Sequence, residues 1–167
     1  MASFLTTAFY HFIPLDDIKG IQTTLQNYCD KKLIKGTILL AKEGINGTIS
    51  GVESDILEFH KFIKSEPLFS DNFKALEYKS SWSTDNPFYR MKVRLKKEIV
   101  ALGLPEISPS KKVGTYVKPE DWNNLINDPD IILIDTRNNY EFDIGSFKNA
   151  LNPKTLSFRE FPKYITE

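Results

Sequence analysis

The chain has 167 residues, 41% of them hydrophobic and 26% charged, which excludes disorder over the whole length and indicates one or two small globular modules. Its 22 basic and 22 acidic residues cancel, but from Val113 onward six basic residues stand against nine acidic ones, so the earlier part is mildly basic. This asymmetry favours two modules, the first with some affinity for a polyanion.

Cysteine, histidine and hydropathy patterns restrict the class of protein further. No run of about eighteen apolar residues occurs, so we expect no membrane-spanning helix, and the first residues lack the pattern of a secretory signal. The single cysteine, Cys29, excludes an intrachain disulfide, and neither His11 nor His60 has a metal-ligand companion at short spacing. The sequence also contains no nicotinamide or flavin fingerprint. We therefore expect a cytoplasmic protein with no metal and no evident bound cofactor.

The first hundred residues alternate between strand-like and helix-like patterns. In chain order they predict a strand at 8–13, a helix capped by Asp16 or Asp17, strands at 37–41 and 45–50, a helix capped by Ser54, and a fourth strand at 73–79. This β-α-β-β-α-β order is typical of the ferredoxin-like α+β fold, in which two helices cover one face of an antiparallel sheet. We assign residues 1–103, with a strand extension at their end, to this domain.

The strand extension is basic and lies at residues 90–96, where cations alternate with apolar side chains. Period-two alternation predicts the cations on one face and Met91, Val93 and Leu95 on the other. Such a stripe can bind RNA, since each neutralised phosphate adds affinity; the other interpretation is a solvated edge that resists aggregation. The candidate RNA-binding residues are Lys42, Arg90, Lys92, Arg94, Lys96 and Lys97.

Two further features are weaker candidates for nucleic-acid contact. Lys42 precedes a glycine-rich segment at 43–51 whose backbone N–H groups could meet phosphate, although a tight turn between strands is the commoner role of such a segment. Trp82, Phe88 and Tyr89 could stack on unpaired bases, although aromatic residues beside a strand more often belong to a core.

The composition and the predicted elements of the chain change after residue 103. Residues 104–113 have the proline, serine and lysine content of a linker. A helix is then predicted from Pro119 through Trp122 to about residue 126, because proline suits a first helical turn. The apolar run at 131–134 is typical of a parallel strand buried on both faces. The run is followed by polar residues at the carboxyl end of the predicted strand. In open α/β sheets, ligand-binding sites lie at that end of the strands.

Four elements follow in the residues from that run onward: the segment 134–137, Tyr140-Glu141, Gly145 and the segment 150–153. Together they resemble the opening half of a rhodanese domain. We expect Asp135, Arg137 and Glu141 to support the loop through charge-assisted hydrogen bonds. In rhodaneses the reactive cysteine lies beyond the next parallel strand, so it is expected after Glu167. Cys29 is predicted to lie in a helix and cannot take that role.

Several blocks, in order along the chain, are similar to a bacterial family that joins a ferredoxin-like domain to a rhodanese-like domain. These blocks are 42–51, 87–94, 97–100, 135–153 and 158–162. Members of that family are tRNA uridine hydroxylases, which install 5-hydroxyuridine at the wobble position in an oxygen-dependent reaction. The resemblance implies a tRNA-modifying oxidoreductase with molecular oxygen as co-substrate. It places residues 114–167 in an incomplete rhodanese-like half without a catalytic residue, so we expect the chain alone to be inactive.

Two other functions stay open on the sequence. A rhodanese-type sulfurtransferase is supported only by the pattern from Asp135 onward. A non-catalytic RNA-binding module would share the ferredoxin-like order with the RNA recognition motif, but 45–50 carries no aromatic residue for stacking. Acylphosphatase chemistry on this fold is discounted because residues 11–17 contain no arginine. Half of a parallel α/β domain would also leave apolar surface uncovered, which predicts either a further segment or self-association there.

Overall fold

The computed structural model describes residues 3–104 and 114–166. The chain divides into two compact units, residues 1–100 and residues 101–167. The predicted first domain ends close to this division, but residues 105–113 of the predicted linker lie outside the described residues. The identity of the second unit as a rhodanese-like half stays a prediction.

The first unit is an α+β domain with one five-stranded sheet. Its elements, in chain order, are β1 (Phe4–Phe12), α1 (Ile18–Lys31), β2 (Lys35–Ala41), β3 (Gly44–Val52), α2 (Glu53–Ser65), a 3-10 helix (Pro67–Phe73), β4 (Lys79–Ser83) and β5 (Met91–Leu95). The strand order is β4-β1-β3-β2-β5. The first four strands pair antiparallel, and β5 joins β2 in parallel. The predicted ferredoxin-like arrangement is confirmed for this unit.

Both long helices pack on the same face of the sheet. Asp17 caps the start of α1, because its carboxylate accepts a hydrogen bond from the Gly20 N–H. The buried residues of α1 recur every four positions, and those of α2 at spacings of three and four, so each helix presents one apolar stripe. They are Ile21, Leu25 and Cys29 in α1 and Ile56, Phe59 and Ile63 in α2. Burying each such Ile, Leu or Phe stabilises the fold by about 1.5–3 kcal/mol.

The opposite face of the sheet carries no helix of the described first unit. In β3, Ile45 and Ile49 are buried against the helices, whereas the alternate residues Asn46 and Thr48 point away from them. We call the side facing away from the helices the open face. It is built from residues that pair directly with one another across all five strands.

Two sequence predictions for this unit are wrong in position. The fourth strand is Lys79–Ser83 rather than 73–79, because Phe73 and Leu76 are spaced three apart and are both buried at the end of a 3-10 helix. That spacing fits a tight helical turn, whereas a strand buries every second residue. Helix α2 is flanked by Val52 at its start, and Ser54 lies inside its first turn.

The second unit has short elements. They are a 3-10 helix (Pro119–Asp121), α3 (Trp122–Ile126), α4 (Asn139–Ile144), a second 3-10 helix (Phe158–Glu160) and α5 (Phe161–Tyr164). The helix predicted from Pro119 is therefore present. The strand predicted at 131–134 makes only one parallel bridge, between Ile134 and Leu151. The two hydrogen bonds of this bridge run from the Leu151 N–H to the Leu133 carbonyl at 2.8 Å and from the Asp135 N–H to the Leu151 carbonyl at 3.0 Å.

The second unit exposes much of its apolar surface. Ile132, Ile144 and Leu156 are 74%, 84% and 82% exposed. Apart from Pro153, the buried apolar side chains of the described chain all lie at or before Ile99. The run at 131–134 is therefore not buried on both faces, and the expected uncovered surface is present. Within residues 3–104 and 114–166 no helix is long and apolar enough to cross a membrane.

Candidate functional site

The basic strand lies at one edge of the sheet, as β5. Val93 is buried and pairs with Ile38 of β2, whereas Lys92 pairs with Thr37 and so lies on the open face. Arg94, two residues further on, shares that face. The predicted alternation of cations and apolar side chains therefore holds within Met91–Leu95.

The remaining candidate cations flank the strand. The Arg90 carbonyl accepts from the Gly36 N–H at 3.1 Å at the beginning of β5, and the Lys96 N–H donates to Leu40 at 2.7 Å beyond its end. Lys42 belongs to the two-residue turn between β2 and β3, at the same end of the sheet as Lys96. Of the predicted set, only Lys92 and Arg94 are held on the open face by strand pairing. The flanking side chains, including that of Lys97, are exposed.

The open face is positive. The strand residues that lie on it include four cations and, in the five strands, no Asp or Glu. The cations are Lys35, Lys79, Lys92 and Arg94. Such an unbalanced face raises the local concentration of anions, and the attraction decreases with added salt.

The glycine-rich segment after Lys42 has a structural role. The Glu43 carboxylate accepts from the Ile99 N–H at 2.7 Å, and the Asn46 amide donates to the Ile99 carbonyl at 3.0 Å. The Glu43 carbonyl also accepts from the Ile13 N–H at 2.8 Å. These bonds tie the chain beyond β5 and the end of β1 to the turn between β2 and β3. A carboxylate at this position also disfavours phosphate, which supports the structural interpretation of the segment.

A depression of about 320 Å³ lies on the open face. Its floor is formed by β2 and β3, and the Phe88 side chain forms a wall. Phe88 comes from the connection between β4 and β5, residues 84–90. Asn86 fixes that connection, because its amide donates to the Ser50 carbonyl at 3.2 Å and accepts from the Phe88 N–H at 3.0 Å. The sequence indicated Phe88 as a candidate but gave no sign of the role of Asn86 beyond its place in an Asn-Pro turn.

The other two aromatic candidates differ from Phe88 in position. Trp82 pairs with the buried Leu5 and therefore lies on the helix side of the sheet, where it is 55% exposed. Tyr89 is 98% exposed next to Phe88. Only Phe88 of the three lines the depression.

The histidine and cysteine candidates do not form a reactive group. Burial raises the pKa of the Cys29 thiol to about 12, so the nucleophilic thiolate is scarce at neutral pH. Burial, assisted by Lys64, lowers the pKa of His60, whose ring stacks on Tyr78 at 3.6 Å. In the described part of the chain, no three His, Cys, Asp or Glu side chains are grouped to hold a metal.

The second unit brings two of its three predicted loop residues together. Arg137 pairs with Asp135 at 2.6 Å and donates to the Gly145 carbonyl at 2.7 Å, and Ser146 donates to the same carboxylate at 2.7 Å. Hydrogen bonds from Arg137 and Ser146 hold the pKa of Asp135 well below its ordinary value. Glu141 acts elsewhere, as the partner of Asn138 in a capping box at the start of α4.

A small depression of about 160 Å³ adjoins this loop. Trp122 and Phe147 line it and stack on each other, with ring centroids 5.1 Å apart. Asp135, Thr136 and Arg137 contribute the polar part of the lining. Its volume lies below the roughly 300 Å³ at which small-molecule sites begin, so by itself it does not form a substrate pocket.

The sequence of residues 4–99 matches the family described as UPF0176 acylphosphatase like domain. Over all of its 167 residues the chain is 51% identical to a tRNA uridine(34) hydroxylase of Acaryochloris marina (strain MBIC 11017), of which it covers 53%. It is also 51% identical, over 97% of its length, to a tRNA uridine(34) hydroxylase of Rhizobium leguminosarum bv. trifolii (strain WSM2304), of which it covers 51%. The chain thus spans about half the length of the curated relatives it matches.

Similarity to solved structures is lower. BlrB, a BLUF protein in its dark state, has a TM-score of 0.47 and 21% identity, over 74% of this chain and 92% of its own. A likeness of this degree says nothing about function.

Proposed function

Because this chain belongs to the family of the UPF0176 acylphosphatase like domain, we propose that it is the amino-terminal half of a cytoplasmic tRNA-modifying enzyme. The reaction is the oxygen-dependent hydroxylation of the wobble uridine to 5-hydroxyuridine. Molecular oxygen is the co-substrate and tRNA the partner. Residues 1–103 form the ferredoxin-like domain, 104–113 the linker and 114–167 the first half of a rhodanese-like domain.

One observation carries this proposal. The identity of 51% to a protein named tRNA uridine(34) hydroxylase extends over both units of the chain and is not restricted to the ferredoxin-like domain. A shared fold alone is compatible with many functions. Identity at this level through two different units favours a common function.

The first unit supplies the tRNA-binding surface in this proposal. Lys92 and Arg94 lie on the positive open face, with Arg90 at one end of β5 and Lys96 and Lys97 at the other. Phosphate contacts of this kind position a nucleic acid without reading its sequence. Lys42, in the turn after β2, extends the basic region at the same end as Lys96.

The second unit supplies part of the scaffold for the reactive thiol. Asp135 and Arg137 lie immediately after the run at 131–134 and fix the loop to Gly145 and Ser146. Glu141 stabilises the helix that follows. The catalytic cysteine is placed after Glu167, so the 167-residue chain by itself is inactive in this proposal. The exposed apolar side chains of the unit are covered by the rest of that domain or by self-association.

Deletion of the gene that encodes this chain tests the proposed reaction. We expect 5-hydroxyuridine to disappear from position 34 of cellular tRNA, as measured by mass spectrometry of digested tRNA, and to return when the full gene is supplied on a plasmid. A plasmid that encodes only the 167 residues should not restore it. Unchanged modification after deletion contradicts the proposal.

A sulfurtransferase is the second candidate, favoured only by the rhodanese-like loop around Asp135. It predicts that the full-length protein converts thiosulfate and cyanide to thiocyanate and carries a persulfide. A non-catalytic RNA-binding module is the third. It predicts tRNA binding by the purified protein while wobble-uridine modification stays unchanged on deletion.

A further inference from the structure

We propose that the depression beside Phe88 on the open face binds one unpaired nucleobase of a single-stranded RNA segment, with Phe88 as the stacking platform. The identity of that RNA as the anticodon loop of tRNA rests on the proposed function. The binding of a base in the depression does not rest on that function. An experiment can therefore contradict the pocket or the proposed function separately.

Phe88 has a fixed position above the sheet. The connection between β4 and β5 has to pass from one edge of the sheet to the other, and Asn86 attaches it to β3 through the Ser50 carbonyl at 3.2 Å. The same side chain accepts from the Phe88 N–H at 3.0 Å. These two bonds fix the backbone at Phe88 beside β3, and the half-buried Phe88 lines the depression. A ring on a fixed backbone loses less conformational entropy when a base stacks on it.

The floor of the depression combines apolar and hydrogen-bonding groups. Leu39 and the Gly47 backbone supply apolar contact, and the hydroxyls of Thr37 and Thr48 line the same depression. Neither hydroxyl has a hydrogen-bond partner among the residues that the structure describes. A hydroxyl can both donate and accept, which suits the mixed donor and acceptor edge of a nucleobase. Single-stranded RNA is commonly recognised by aromatic stacking combined with such edge contacts.

The surroundings of the depression are positively charged. Lys92 and Arg94 pair with Thr37 and Leu39 of the floor, so two cations stand beside the depression. No Asp or Glu side chain lines the depression among the residues that the structure describes, and the Glu43 carboxylate is directed to the Ile99 N–H at 2.7 Å. A stacking ring flanked by cations fits a base with its phosphates, and a face without strand carboxylates does not favour a basic protein partner.

Binding of RNA by the full-length protein tests the pocket. The probes are an unmodified anticodon stem-loop and an RNA duplex of the same length. We expect Phe88→Ala to weaken stem-loop binding by about tenfold, in the range observed for loss of one stacked base, and to leave duplex binding unchanged. Phe88→Tyr should restore the affinity. The salt dependence of binding should not change, because Phe88 carries no charge.

Trp82→Ala is the matched control, since it removes an exposed aromatic side chain from the other face of the sheet. It should leave binding of both RNAs unchanged. Equal losses for stem-loop and duplex, or an unchanged affinity of Phe88→Ala, overturn the pocket even when gene deletion abolishes 5-hydroxyuridine. A photoreactive phenylalanine analogue at position 88 should crosslink to a loop nucleotide. Crosslinks to a protein instead would also overturn it.

Discussion

Gly44 begins β3 in a backbone conformation that residues with a side chain rarely adopt. Its φ is +147°, and a Cβ atom there would lie 2.0 Å from the His11 carbonyl oxygen. The close approach follows from the pairing of Gly44 with Phe12 at the end of β1. At this position a glycine is required on two counts, backbone conformation and space.

Replacing this glycine should therefore destabilise the first unit. We expect Gly44→Ala to lower the free energy of unfolding by about 2 kcal/mol or more, because the strained backbone and the contact with a carbonyl add together. Urea denaturation followed by circular dichroism measures the change. Gly51→Ala in the same strand is the control, since its Cβ would meet only ordinary contacts at 3.4 Å and beyond. Equal losses in the two variants would contradict this account.

The Asp135 carboxyl group makes the stability of its loop in the second unit depend on pH. Arg137 and then Ser146 lower its pKa in the folded state below the ordinary value of 3.8. A carboxyl group whose pKa is lowered by folding contributes stability above its unfolded pKa, and that contribution disappears as the pH falls through the folded pKa. The carboxylate should therefore hold the loop at neutral pH and release it only in strong acid.

The carbon-13 chemical shift of the Asp135 carboxyl group measures this directly. We expect its titration midpoint to lie well below 3.8 in the native chain. Asp135→Asn should speed the hydrogen exchange of the Arg137 amide at neutral pH, because that N–H donates to the Asp135 carboxylate at 3.1 Å. Asp143→Asn, which removes an exposed carboxylate from the same unit, should leave that amide unaffected. A midpoint at or above 3.8 would show that Arg137 does not pair with Asp135 in solution.

Strand β5 pairs with β2 along one edge and contacts α1 along its other, outer edge. The Val93 carbonyl accepts from the Gln22 amide at 2.8 Å, and the Val93 N–H donates to the Gln26 amide oxygen at 3.0 Å. These two bonds satisfy main-chain groups on the outer edge of the sheet, which in a bare edge strand would face water or another chain.

Removing both glutamine side chains should weaken the attachment of β5. Each net hydrogen bond contributes about 1 kcal/mol, so we expect Gln22→Ala with Gln26→Ala to reduce the free energy of unfolding by about 2 kcal/mol and to increase self-association in light scattering. Asn27→Ala, on an exposed position of the same helix, controls for helix propensity. If the double variant is as stable and as monomeric as that control, α1 does not protect this edge.

The cations on and around β5 give a prediction for binding. Replacing Arg90, Lys92 and Arg94 together with Ala should weaken tRNA binding and reduce the slope of log affinity against log salt by about one for each phosphate that is no longer neutralised. Filter binding at several salt concentrations measures both. The control triple replaces exposed lysines on the helix side, Lys19, Lys31 and Lys61. Native affinity at low salt in the first triple would remove β5 from the tRNA-binding surface.

Local patterns were sufficient to predict the order of strands and helices in the first unit and the alternation in β5. They were insufficient where distant pairing decides the outcome. The register of β4 with β1 puts Trp82 on the helix side, and the crossing connection puts Phe88 on the open face. Nothing in the nearby sequence distinguishes these two aromatic residues. The outer edge of β5 is bound by Gln22 and Gln26, which lie 71 and 67 positions before Val93, and no local period can indicate such a contact.

The two units of the chain differ in how they are stabilised. The first has a buried core that includes Phe59, Ile38 and Ile49, whereas the second relies on turns, short helices and the Asp135 loop. Local opening costs little where few apolar side chains are buried. The two units should therefore exchange their amide hydrogens on different time scales.

Hydrogen exchange followed by mass spectrometry tests this difference on the 167-residue chain. Peptides from β1 and β3 should stay protected, and peptides from 114–166 should exchange orders of magnitude faster. In the full-length protein the second unit should gain protection, because its apolar side chains are then covered. Equal protection of both units in the 167-residue chain would contradict the separation into a packed and an unpacked part.

The position of the last core residue, Ile99, has a consequence for synthesis of the protein. Domains near the amino terminus fold first as a chain leaves the ribosome, and the buried apolar side chains described in the first unit all lie at or before residue 99. We therefore expect the ferredoxin-like domain to fold before the apolar side chains of the second unit have emerged from the ribosomal exit tunnel. We expect a chaperone to bind the exposed apolar side chains of the second unit while translation continues.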